Sequence, residues 1–117
     1  MNFQLDINKV VQDMVQASAN SLIKGGKQAK EYATHEYTQF ISDIEHVQTM
    51  AEQKLVTKDV AQYLVEQHKL SMRAVLLTIE GLGEISVQNA INAGMKVLND
   101  ALIASLGTAF QALKFTL

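Results

Sequence analysis

The sequence predicts an all-α fold, an antiparallel four-helix bundle in which residues 1–117 form a single helical domain. Three observations predict it. The chain contains no proline, the residue that most firmly breaks a helix by removing an amide donor and crowding the preceding turn. It is rich in Ala, Gln, Leu, Lys and Glu, which give up little conformational freedom on becoming helical. Its apolar residues recur at intervals of three and four rather than alternating. A domain of this size buries roughly two thirds of its unfolded surface around one core.

The first helix is expected over about 6–24. Asp6 suits the N-cap, Leu5 can staple against Val10, and Ile7, Val10, Val11, Met14 and Leu22 form an apolar stripe. Gly25-Gly26 should end it, since two glycines cost about 2 kcal/mol relative to alanine inside a helix. The second helix, about 28–55, carries Ala33, Tyr37, Phe40, Ile44, Val47 and Ala51 along an a/d seam. Thr57 then makes an N-cap with Asp59 in the favourable first turn. The third helix, about 58–80, places Ala61, Leu64, Val65, His68, Met72, Val75, Leu76 and Ile79 on its buried side. Gly81-Leu-Gly83 is read as a turn into a fourth helix over about 85–115. The alternative is one continuous helix from 58 onward, with the glycines as a weak point.

The fourth helix is the most informative. ALIASLGTAFQAL, residues 101–113, is uncharged and fenced by Asp100 and Lys114. As a helix it reaches only about 20 Å, short of the roughly 20 residues a bilayer crossing needs, so no transmembrane segment is expected. On a helical wheel Ile91, Met95, Leu98, Leu102, Leu106, Phe110 and Leu113 form a bulky face. Another side holds small residues, among them Ala90, Ala93, Gly94, Val97, Ala101, Ala104, Thr108 and Ala112. The pattern repeats every eleven residues, as in Ala90, Ala101 and Ala112, which keeps each face in line along a nearly straight helix. One apolar stripe is enough for a helix in a monomeric bundle, so the bulky face is assigned to the core. The eight small residues are assigned to an oligomer interface, where a second backbone can come close. The expected function is therefore non-enzymatic: a self-assembling structural or interaction protein that homo-oligomerises through this face.

The segment KVLNDALIASLGTAFQ, 96–111, resembles part of the killing-trait (RebB) subunits that polymerise into bacterial R-bodies. The resemblance implies self-assembly. Where the family has an Ala-Pro step this chain has Ala101-Leu102, and the likeness does not extend to residues 28–80.

Composition and residue spacing bear on other functions. The net charge of −2 gives no electrostatic footprint for nucleic acid. With no cysteine there are no disulfides, thiolate metal sites or cysteine nucleophiles. That, with no secretory signal in MNFQLDINKV, leads to the expectation of a cytoplasmic location. A di-iron bundle needs Glu-x-x-His, and no glutamate has histidine three residues later. Glu31, His35 and His46 fall on a solvated face. His68, one turn before Met72, could ligate haem axially in a cofactor-binding bundle, though a core-edge histidine with a hydrogen bond is the commoner case. Lys24, Lys27 and Lys30 around Gly25-Gly26 surround a helix start without matching a P-loop. No catalytic residues, cofactor or metal are assigned. The rival from another class is an amphipathic, phasin-like coat on lipid or hydrophobic granules, for which the polar strip of the last helix carries few cations.

Overall fold

The computed structural model describes residues 3–107 and 113–117, and its regular elements among them are all helical. Helix α1 spans Ile7–Leu22, and a 3-10 turn at Ile23–Gly25 leads directly into α2, Gly26–Glu52. Helix α3 spans Lys58–Leu77 and α4 spans Glu84–Leu106. With 27 residues, α2 is about 40 Å long at 1.5 Å per residue and so runs the length of the molecule, whose longest extent is 42 Å.

The local signals at helix starts act as expected. Asp6 accepts from Lys9 N at 3.3 Å, and Thr57 accepts from Val60 N at 3.2 Å. Each satisfies an amide that the first helical turn leaves without a partner. Between α3 and α4 the chain turns, and Gly81 adopts φ +91° there. A methyl group on Gly81 would come within 2.6 Å of the Lys24 carbonyl oxygen. The turn thus lies against the α1–α2 junction, and the two helices are not continuous.

Packing follows the apolar stripes. Helix α1 packs most extensively on α4, and α2 lies against both α1 and α3. Helix α3 rests mainly on α2 and only lightly on α4. The core is built from Met14 and Leu22 of α1, Tyr37, Phe40, Ile41 and Ile44 of α2, Val65, Met72 and Leu76 of α3, and Ile91, Leu98 and Leu102 of α4. Phe3 and Phe115 plug into it from the flanking segments. Val75, expected on the buried side of α3, is instead exposed.

The fourth helix is shorter than the sequence suggested. It ends at Leu106 rather than near 115: Gly107 takes φ +56°, and its N–H closes back on Ile103 O. A residue with a Cβ is strained at that φ, which glycine adopts freely. Residues 113–117 are not helical. Phe110, Thr108 and Ala112 of the expected faces lie outside the described residues.

Candidate functional site

The bulky face of α4 lies in the core as expected, with Ile91, Met95, Leu98 and Leu102 all buried. Much of the small face is enclosed too. Ala90 and Gly94 are buried within the chain, which corrects their assignment to an oligomer interface. The close approach they permit is made by Tyr37 of α2. A methyl group on Gly94 would lie 2.8 Å from both Cζ and the hydroxyl of Tyr37, so only glycine lets that ring rest on the α4 backbone. Ala93 is half-buried, Val97 and Ala101 are half-buried against the core, and Ala104 is exposed.

Above Gly94 three helices are joined by a buried hydroxyl pair. Ser18 Oγ of α1 lies 2.7 Å from the Tyr37 hydroxyl. The Tyr37 hydroxyl also reaches Ala90 O of α4 at 3.0 Å. Ser18 Oγ reaches the same carbonyl at 2.9 Å and Met14 O of its own helix at 2.8 Å. The two hydroxyl hydrogens are shared among these contacts, so each hydroxyl has a carbonyl or the other hydroxyl to donate to, which removes most of the cost of burying these polar groups. Burial raises the pKa of Tyr37 above 10.0, and the Ser18 hydrogen bond offsets part of that rise. Ser18 has no exposed surface, so it is a structural hydroxyl rather than an accessible nucleophile.

A second polar cluster holds the segment 113–117 across α2 and α3. Buried Gln48 accepts from Lys114 N at 2.9 Å. Gln62 accepts from Thr116 N at 2.7 Å and donates to Thr116 O at 2.9 Å. Lys69 Nζ donates to Leu117 O at 3.2 Å. These bonds go to main-chain atoms, while Phe115 supplies the apolar anchor. Beside the segment, between α3 and α4, is an open cleft of about 570 Å³ lined by Lys69, Asn92, Met95, Lys96, Asn99, Thr116 and Leu117.

His68 bridges α3 to α2, its Nδ1 lying 3.3 Å from Asp43 Oδ2. Met72, one turn on, is buried in the core. Glu31 faces Lys27 at 3.9 Å, and His35 and His46 are exposed. Among the described residues no three histidine, cysteine or acidic side chains gather as metal ligands, and no helix is long and apolar enough to cross a membrane.

Large apolar side chains remain uncovered on the outer surface. Ile85 is 80% exposed, Ile23 72%, Leu55 69%, Tyr63 61% and Leu70 53%. Ile103 is half exposed beside Ala104 at the end of α4. No protein-family profile, curated protein or solved structure matches the chain.

Proposed function

We propose that the chain is a non-enzymatic, self-associating structural or interaction protein, an antiparallel four-helix bundle whose outer helix faces contact further copies. The observation that carries this reading is the uncovered apolar surface, above all Tyr63 and Leu70 on α3 and Ile103 on α4. Side chains of that size gain about 1.5–3 kcal/mol each on full burial, and another copy offers the same apolar surface in return. On α4 the reachable part of the small face is its C-terminal half, Ala101 and Ala104. The resemblance of 96–111 to R-body subunits adds to the reading.

Light scattering after size exclusion, over a dilution series, tests it. A mass above one chain that falls on dilution is expected, with Ala104→Glu lowering it if α4 contributes. A single-chain mass at every concentration, together with flotation on lipid vesicles, would replace this reading with that of a coat for lipid or granule surfaces.

A further inference from the structure

Helix α3 is apolar on two opposite sides. Its core side is Ala61, Val65, Met72 and Leu76, all buried. About 170° round the helix at 100° per residue runs a second series, Val60, Tyr63, Gln67, Leu70 and Ala74. Its spacing of three, four, three and four is that of a coiled-coil seam. All five residues are exposed. The helix is also peripheral, resting on α2 and only lightly on α4, so no element among the described residues covers the seam.

The charges beside the seam point to what covers it. With Val60, Gln67 and Ala74 as a positions and Tyr63 and Leu70 as d positions, one flank is Asp59, Glu66 and Arg73. The other flank is Leu64 and Ser71. In a parallel pair of α3 helices each flank meets the opposite one, and Glu66 faces Ser71. In an antiparallel pair the like flanks meet, and Glu66 of one copy falls beside Arg73 of the other, twice by symmetry. Arg73 is half-buried. Its Nε is enclosed, without a hydrogen-bond partner among the described residues. The partner's Glu66 would therefore have to meet the outer end of its guanidinium, which has no ion pair among the described residues. Glu66 holds Gln62 at 3.0 Å and Lys69 at 3.6 Å, and its side chain is still 49% exposed.

We infer that α3 is an isologous interface. Two copies pack their α3 helices antiparallel along Val60, Tyr63, Gln67, Leu70 and Ala74, and two Glu66–Arg73 pairs close the flank. The inference rests on the self-association proposed above and names its contact. The seam extends over about 21 Å of helix, a small contact, so the pair dissociates on dilution rather than being permanent.

Charge reversal tests it on the full chain. Glu66→Arg sets arginine against Arg73 of the partner copy, and Arg73→Glu sets glutamate against its Glu66. Each variant alone should dimerise about tenfold or more weakly, as like charges brought together at an interface do. An equimolar mixture of the two should form a heterodimer of wild-type affinity. Leu70→Glu should weaken the pair with no rescue by either. Wild-type mass for Leu70→Glu and Glu66→Arg in a protein that does self-associate overturns the α3 interface and leaves self-association standing. Weakened single variants with no recovery on mixing overturn the antiparallel pairing. A wild-type chain that is monomeric throughout removes the broader reading and this one together. Thermal melts identify any variant that fails to fold. If Arg73→Glu does so, Leu70→Glu and Glu66→Arg decide the interface.

Discussion

Tyr37 occupies the space that a side chain on Gly94 would need, with its Cζ and hydroxyl each 2.8 Å from the position of an added methyl carbon. Gly94→Ala must therefore displace the ring and the hydrogen bonds it makes. A loss of about 1–3 kcal/mol is expected, as for other overpacked cores. With Tyr37→Leu as the background the obstacle is smaller, and the same change should cost less or stabilise by up to about 1 kcal/mol, because alanine favours a helix interior. Urea denaturation of the four chains measures the coupling, and equal effects in both backgrounds would contradict the contact.

The raised pKa of Tyr37 has a consequence at high pH. The folded chain holds the phenol proton more tightly than the unfolded chain does. Stability from this group is fully present below pH 10.0, the ordinary value. It falls as pH rises from there through the higher folded pKa, because the unfolded state loses its proton first. Denaturation midpoints between pH 8 and 11, compared with those of Tyr37→Phe, should show this extra alkaline decline in the parent alone.

Gln62 holds Thr116 at both its amide and its carbonyl. Gln62→Ala removes both bonds, each worth about 0.5–1.5 kcal/mol. Amide exchange at Thr116 should accelerate by about tenfold or more, while amides in the middle of α2 keep their protection. Unchanged exchange at Thr116 would mean that Phe115, with Gln48 and Lys69, holds the segment without Gln62.

Two neighbouring glycines should respond in opposite senses. Gly81→Ala puts a Cβ at φ +91° and within 2.6 Å of Lys24 O, and a loss of about 2 kcal/mol or more is expected. Gly83 is the N-cap of α4 at φ −101°, ψ 174°, with no side-chain cap bond and open space around it. Gly83→Ser adds the missing acceptor and should stabilise by a few tenths of a kcal/mol. Thermal melts separate the two.

What the sequence revealed and what it hid divide along the range of the interaction. Asp6 and Thr57 were readable as caps because the amides they accept from lie three residues away. The stripes of α1 and α2 were readable because a helix repeats its face every turn. The end of α4 was misplaced because the uncharged run through 113 suggested continuation, although Gly107 already carried the stop signal. The small face of α4 was legible as a place of close approach but not as the seat of Tyr37. A helical wheel gives the width of a gap and not which side chain fills it. Gln48 and Gln62 gave no sequence signal at all, since their partners are main-chain atoms far along the chain. The outer seam of α3 was present in the spacing of Val60, Tyr63 and Leu70, hidden behind the stronger stripe opposite.

The pairing of α1 with α4 bears on how the chain is made. Ser18 reaches Ala90 O, and α1 as a whole finds its most extensive contact in α4, a helix synthesised well after it. At about 5–20 residues per second, roughly 4–17 s separate the synthesis of Leu22 from that of Leu106. Through that interval the apolar stripe of α1 has only part of its final cover. The nascent chain is therefore a client for holdase binding until α4 arrives, and a ribosome stalled before Glu84 would present α1 without its main partner.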